Sequence, residues 1–513
     1  MITFIISFAV LILGYLFYGR FVERVFGPDD RVTPAIAKRD NVDFMVLSNW
    51  KVYMIQFLNI AGTGPIFGAI MGAKFGPVAY LWIVLGTIFA GAVHDYLSGM
   101  TSMRNGGASL PEIIGKYLGK WTKSVALALT LLTLLVGGTV FVYSPAAILH
   151  LIGGDTMMWV IIIFAYYVIA TMLPIDKIIG KIYPVFAVAL VFMAVALMVV
   201  LFVKMPHLPE LWSHFYDMGA KADPEHWTDH IFPALFITVA CGAVSGFHAT
   251  QSPLMGRCLK TERMGRRVFY GAMVTEGLVA LIWATIGMWF FYATPTPGYD
   301  LIEGSNGFST SAPAVVHLVS RDWLGAFGAV LAMLGVVAAP ITSGDTAFRS
   351  SRLIVADWLK IDQTPVRKRL FICLPLFAIS IAMLVWQIAN PNGFNIIWQY
   401  MGFFNQTLAV FTLWALTVYL VQERKCFWIT LIPALFMTAV CSTYFFVSKQ
   451  ILGLPISIGY PLGGFCVLVA IAWFAVWYRK TKATLRPGST TNLCSMKCLN
   501  KSITKTQEQQ WYY

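Results

Sequence analysis

Charge is what this chain has least of. Of its 513 residues only 12% are Asp, Glu, Lys or Arg, against about 25% in an ordinary soluble protein. With 58% hydrophobic residues, this composition excludes a soluble globular domain. Enzyme signatures are missing too. The sequence has no HExxH pair, no GxxxxGK[ST] phosphate loop and no GxSxG elbow. Those absences exclude a zincin protease, an elbow hydrolase and ATP-driven transport within the chain. Residues 2–18 are apolar, yet no small-residue cleavage site follows, so they are expected to be a retained first span and not a signal peptide. Cysteines number eight. Cys241, Cys373, Cys441 and Cys466 fall in apolar runs, while Cys258, Cys426, Cys494 and Cys498 fall in segments expected in the cytoplasm. Such placement predicts no disulfide framework.

Present in quantity are apolar runs of about 20 residues, each long enough to cross a bilayer core of about 30 Å. Thirteen are expected, at about 2–18, 51–72, 77–98, 122–143, 157–173, 182–203, 231–250, 268–292, 323–343, 369–389, 395–421, 427–447 and 458–478. The loops test this count. Lys and Arg cluster after every odd-numbered span, as at Arg20 to Arg39, Arg104 to Lys123 and Arg257 to Arg267, and thin out after the even ones. The positive-inside rule then puts the N-terminus outside and the C-terminus in the cytoplasm. The net charge of +13 reads as topology and not as nucleic-acid binding. Short surface helices are expected at Glu210–Tyr216 and Ala312–Val319, and a cytoplasmic amphipathic helix at 344–358. A transporter domain over 1–480 and a disordered cytoplasmic tail over 481–513 complete the division.

One stretch organises the rest: Phe57 to Gly68, FLNIAGTGPIFG. Glycine costs about 1 kcal/mol and proline about 3 kcal/mol against alanine inside a helix. Gly62-Thr63-Gly64-Pro65 therefore predicts an interruption in the second span. In hydrocarbon the freed backbone groups need protein, water or a solute as partners. A second interruption is expected in the seventh span, at Cys241-Gly242-Ala243-Val244-Ser245-Gly246-Phe247-His248. An odd number of spans separates them, so a repeat of that period inverts its topology. Matched interruptions in two halves point to a transporter site, with repeats at about 51–203 and 231–421. The unwound turns offer carbonyls to a cation and half-helix N-termini to an anion. Simple packing through Gly64 and Gly68 is the alternative.

The end of the ninth span, Ala339-Pro340-Ile341-Thr342-Ser343-Gly344, offers hydroxyls and a freed carbonyl suited to a small hard cation such as sodium. Helix capping by Ser343 and Gly344 is the alternative. Ionisable residues inside spans are functional candidates. Glu276, His248 and Asp95 are the candidates for proton coupling, with His94-Asp95 also readable as an interfacial structural pair. Asn405, Gln406 and Thr407 read as interhelical hydrogen bonders.

These stretches resemble the carbon starvation protein A (CstA) family. The likeness rests on Gly27-Pro28-Asp29-Asp30, Thr33-Pro34-Ala35, Ile60-Ala61-Gly62-Thr63-Gly64-Pro65-Ile66, Gly91-Ala92-Val93-His94-Asp95-Tyr96, Ser102-Met103-Arg104-Asn105, Ser245-Gly246-Phe247-His248-Ala249-Thr250-Gln251 and Thr342-Ser343-Gly344-Asp345. It covers roughly residues 1–480 and fits a shorter subgroup. The resemblance implies membership of the amino acid–polyamine–organocation superfamily and a LeuT-like 5+5 inverted repeat of an all-α, polytopic membrane protein. In that fold, carbonyls of the first broken helix and an Ala-x-x-Thr-Ser pattern make a sodium site; Ile60, Ala61, Ala339, Thr342 and Ser343 match it here. Many members carry a histidine pair where this chain has Ile55-Gln56, so a role for those histidines does not carry over.

The expected function is a secondary active symporter in the bacterial inner membrane. It would import pyruvate or short peptides during carbon starvation, coupled to a proton or sodium gradient. Gly62, Thr63, Gly64, Ser245, Gly246, Phe247 and His248 would bind the substrate. No cofactor and no nucleic-acid partner is expected beyond the coupling Na+ or H+ and the lipid bilayer. A transporter-like nutrient sensor is the alternative.

Overall fold

In a lipid environment each backbone group must be satisfied within its own segment, and helices do this. The computed structural model describes residues 1–40, 43–172, 179–222, 229–292, 310–363, 365–390 and 393–484, and among them regular structure is helical throughout. The principal helices are α1 (Ile2–Phe26), α2 (Asn49–Ile60), α3 (Gly64–Phe75) and α4 (Val78–Arg104). Next come α5 (Leu110–Leu118), α6 (Lys120–Ile152), α7 (Thr156–Met172) and α8 (Ile179–Lys204). The seventh expected span consists of α9, residues 231–238, and α10 (Gly246–Gly256). They are followed by α11 (Glu262–Tyr292) and α12 (Ala312–Leu359). The last four are α13 (Val366–Ala389), α14 (Gly393–Gln422), α15 (Trp428–Val447) and α16 (Ile456–Thr484).

Among the described residues nine helices are long and apolar enough to cross a membrane, and the bent pair α2–α3 makes ten if counted as one span. Ten of the thirteen expected spans thus meet that standard. The other three are helical but fall outside it. Segment 157–173 corresponds to the 17-residue α7, 231–250 is split at its break, and 323–343 lies in α12, which is two helices joined at a kink at Gly325 (φ 66°, ψ −178°).

The packing explains where the polar residues went. α12 runs along α6 and α8, α10 lies on α4 and α14, and α11 packs on α2 to α4. Residues 344–358 do not form a separate surface helix. α12 continues straight through Gly344, where any side chain would meet the Tyr167 ring and hydroxyl at 2.3–2.6 Å. Ser343 and Gly344 therefore cap nothing. Arg352 on this continuation is fully buried and reaches Asp43 at 3.4 Å. Glu210–Tyr216 forms turns and not a helix, Ala312–Val319 opens α12, and a short helix stands at Met218–Ala222. The last helix runs on through Thr484, past the expected tail boundary; the tail beyond it lies outside the described residues. The six described cysteines form no disulfide with one another. The periphery is apolar and outward-facing, as on α8 at Val185, Val188 and Phe192, the surface that lipid covers.

Candidate functional site

The first break starts where the sequence weakens. α2 ends at Ile60, Ala61 leaves helical geometry (φ −79°, ψ 67°), and α3 departs at 55° from α2. Pro65 stands in the first turn of α3, where its missing N–H costs nothing. The Gly62 N–H, which an unbroken helix would direct to the Leu58 carbonyl, instead donates to the Ile60 carbonyl at 2.9 Å. A break releases the carbonyls one turn before it, and those belong to Leu58 and Asn59.

The second break is wider. Val239 turns out of α9 (φ −95°, ψ 66°), Gly242 takes φ 92°, a conformation glycine alone adopts without strain, and Ser245 is extended before α10 begins. The two breaks lie against each other. A Cβ placed on Gly64 would sit 2.1 Å from the Cys241 Cβ, one on Gly68 would sit 2.8 Å from the Thr238 carbonyl, and one on Gly242 would come 3.6 Å from the Pro65 Cα. Ascending from 64 to 68, the partner descends from 241 to 238, so the two broken helices cross in opposite directions. Gln56 adds a bond between them, its amide donating to the Ser252 hydroxyl at 3.3 Å.

Three polar groups surround this crossing. The hydroxyl of Ser343 donates to the Leu58 carbonyl at 2.9 Å and also lies 3.3 Å from that of Asn59, while Thr342 reaches the Leu58 and Ala339 carbonyls at 3.4 and 2.8 Å. Thr342 and Ser343 therefore reach the first break, while the Ala339 carbonyl is taken within α12 by Thr342. The carbonyls they meet are those of Leu58 and Asn59, not the expected Ile60 and Ala61, because the Ile60 carbonyl is already taken by Gly62.

The second group is aromatic and amide. Gly62 lies against the Phe141 ring, which packs edge-on against Phe247 with centroids 5.5 Å apart. The buried Thr63 hydroxyl has no hydrogen-bond partner. Asn405 of α14 does bond between helices, its side-chain oxygen accepting from the Phe247 N–H at 2.6 Å and the Ser245 hydroxyl at 3.0 Å. It thus occupies the N-terminus of α10. Gly246 is forced there, since a Cβ would come 2.4 Å from the Asn405 carbonyl. The signal for Asn405 was its carboxamide at the centre of an apolar helix. Its neighbours bond as expected or locally, Gln406 to the Phe236 carbonyl and Thr407 to its own helix.

The third group is ionisable. Asp95 on α4, His248 on α10 and Glu276 on α11 are all fully buried. The Asp95 carboxylate meets His248 Nδ1 at 2.9 Å and His94 Nδ1 at 2.8 Å, and His248 Nε2 lies 3.5 Å from Glu276 Oε2. Asp95 is thus an interior residue tied to the second break, and not part of an interfacial pair. Among the described residues no Lys or Arg pairs with Asp95 or Glu276. A cleft lined by Pro233, Ile237, Trp398, Gly402, Tyr444 and Tyr460 adjoins α9, the first half of the second broken helix.

Comparisons with known proteins agree with this architecture. The family model described as "Carbon starvation protein CstA" matches residues 1–144, 125–293 and 299–444. An uncharacterized membrane protein of Haemophilus influenzae is 43% identical over 59% of this chain and 94% of its own length. The peptide transporter CstA of Campylobacter jejuni is 26% identical over 83% of this chain and 77% of its own. The pyruvate/proton symporter BtsT of Escherichia coli is 27% identical over 58% of this chain and 51% of its own. Among solved structures, a manganese transporter of Eremococcus coleocola superposes with a TM-score of 0.55 at 12% identity, over 86% of this chain and 99% of that one; this is a likeness of fold. Relatives and structural neighbours are transporters and not enzymes. The chain is a multi-pass membrane protein and belongs to the CstA family.

Proposed function

We propose that the protein is a secondary active symporter of the LeuT-like 5+5 type. It imports a small carboxylate-bearing nutrient, pyruvate or a short peptide, across the bacterial inner membrane. The observation that carries this reading is the crossing of two oppositely directed broken helices, α2–α3 and α9–α10, at their breaks. Such a crossing places bare main-chain atoms of two inverted elements at one point. The repeats about 51–203 and 231–421 would rock against each other around it.

Gly62, Thr63, Gly64, Ser245, Gly246, Phe247 and His248 line the proposed substrate site. The half-helix N-terminus of α3 suits a carboxylate, while that of α10 is taken by Asn405. The relatives named as peptide transporter and as pyruvate/proton symporter support both substrate classes. For the coupling ion, Ala339, Thr342 and Ser343 with the carbonyls of the first break offer oxygen ligands of the kind sodium takes. Asp95 bonded to His248, with Glu276 beside that ring, offers a buried row of titratable groups for a proton. The test is uptake of radiolabelled pyruvate, amino acids and dipeptides into proteoliposomes, with proton and sodium gradients imposed separately. Gradient-dependent, saturable accumulation of one class is expected; absence of counterflow for all of them overturns the proposal.

A further inference from the structure

Beside the second break a set of donors stands together that transport alone does not require. The Cys241 sulfur, an imidazole nitrogen of His248 and a carboxylate oxygen of Glu276 all lie within 4.8 Å of one another. Cys241 lies within the break and His248 in the first turn of α10, while Glu276 comes from α11. Though buried, His248 Nε2 and both Glu276 oxygens have no close hydrogen bond among the described residues, and the two side chains face each other only at 3.5 Å. An orphaned buried carboxylate costs several kcal/mol unless something pairs with it.

The surroundings fit a metal centre in detail. Asp95 holds His248 Nδ1 at 2.9 Å, which fixes the ring and directs Nε2 at Glu276. A carboxylate on the far nitrogen of a ligating histidine is the common outer support of a metal site. Asp95 is itself held by His94 at 2.8 Å. Zinc binds sulfur at about 2.3 Å and nitrogen or oxygen at about 2.0–2.2 Å in tetrahedral geometry, so its donors stand about 3.3–3.8 Å apart. His248 Nε2 and Glu276 Oε2 are already 3.5 Å apart. The Cys241 sulfur faces only weak partners, the Ser245 hydroxyl and the Asn405 amide, each at 3.6 Å. One thiolate, one imidazole and one carboxylate form a donor set for zinc or cobalt, and not for the hard ions magnesium or calcium.

We propose that Cys241, His248 and Glu276 bind one divalent transition-metal ion of the zinc class, with a fourth position left to water or solute. Binding replaces the Cys241 thiol proton, which leaves to solvent, with the metal. Because Cys241 lies within the break and His248 at the start of α10, a bound ion staples the second joint in its crossed form. The inference goes beyond the transport reading and does not depend on it.

The probe is Co2+ titrated into purified full-length protein in detergent. One equivalent is expected to bind with a thiolate-to-cobalt charge-transfer band in the near ultraviolet and to raise the thermal unfolding midpoint. Cys241→Ser should lose that band. Glu276→Gln and Asp95→Asn should weaken binding, the latter by about 10–100-fold, the usual effect of removing an outer support. An equal band in Cys241→Ser, or no saturable binding above that of Cys241→Ala/His248→Gln, overturns the proposal. Gel filtration of each variant identifies any that misfold, and Cys241→Ala then replaces Cys241→Ser. Solute counterflow measured on the same preparation shows separately whether the transport reading stands.

Discussion

At the residue scale the decisive contact is between Gly64 and Cys241. A methyl group on Gly64 would interpenetrate the Cys241 side chain, and no rotamer change removes a clash between two Cβ atoms. Overfilling of a packed site costs about 1–3 kcal/mol. Gly64→Ala should therefore lower the unfolding midpoint and reduce uptake. Adding Cys241→Gly should restore much of the lost stability, because it removes the atoms that collide. Gly64→Leu should abolish uptake while the protein still inserts. Membrane fractionation with uptake measured on the same cells checks this, and normal uptake would contradict a site built on the joint. The residue scale also shows what a sequence can and cannot give. Glycine and proline at 62–65 mark a break because their backbone preferences are local. Which carbonyls the break frees depends on where the Gly62 N–H goes, and that hydrogen bond is set by the bend. The partners of Asn405 were hidden for a similar reason: Ser245 and Phe247 lie 160 and 158 residues away in the chain.

At the element scale, α12 is the strut against which the broken helices are placed. Its Ser343 hydroxyl bonds the end of α2, and its inner end bonds the segment leading into α2 through Arg352 and Asp43. Lower down, Arg257, just beyond α10, meets Asp357 of α12 at 3.5 Å and the Gly107 carbonyl at 2.9 Å. Removing one partner of a buried pair leaves the other charge uncompensated, at a cost of about 3–5 kcal/mol. Arg352→Leu should thus destabilise the protein strongly, while Asp43→Asn/Arg352→Gln should cost clearly less than the sum of its single changes. Denaturation midpoints of the four proteins in this cycle measure the coupling. Additive effects would show that the pair ties nothing. Ser343→Ala makes a sharper functional distinction. A neutral hydrogen bond contributes about 1 kcal/mol, so stability should change little. If sodium binds at the first break, the sodium concentration needed for half-maximal uptake should rise several-fold while proton-driven uptake stays unchanged. The expected surface helix at 344–358 was misread at this scale. Arg349, Ser350, Ser351 and Arg352 look like a solvated face in sequence, but they are buried, where Ala170 of α7, Gln251 of α10 and Asp43 before α2 meet them.

At the scale of the whole molecule, the proposal requires one side of each repeat to face each side of the membrane. The antiparallel crossing of α2–α3 with α9–α10 supplies the internal half of that requirement, since Gly64 faces Cys241 and, further along, Gly68 faces Thr238. Which end faces the cytoplasm follows from a different physical cause, the retention of Lys and Arg on the inner side during insertion. The two causes are independent, so their agreement can be tested directly. Lys120 and Lys449 are both exposed and lie in loops predicted to face opposite sides. In a background whose native cysteines do not react, a membrane-impermeant maleimide applied to intact spheroplasts should label Lys449→Cys and leave Lys120→Cys untouched. Inside-out vesicles should give the reverse. Labelling of both from one side would break the span count between them. A swapped pattern would invert the molecule and direct the opposite ends of both broken helices to the outside, so that the proposed carboxylate-binding half of α3 would face the cytoplasm and import by this route would fail.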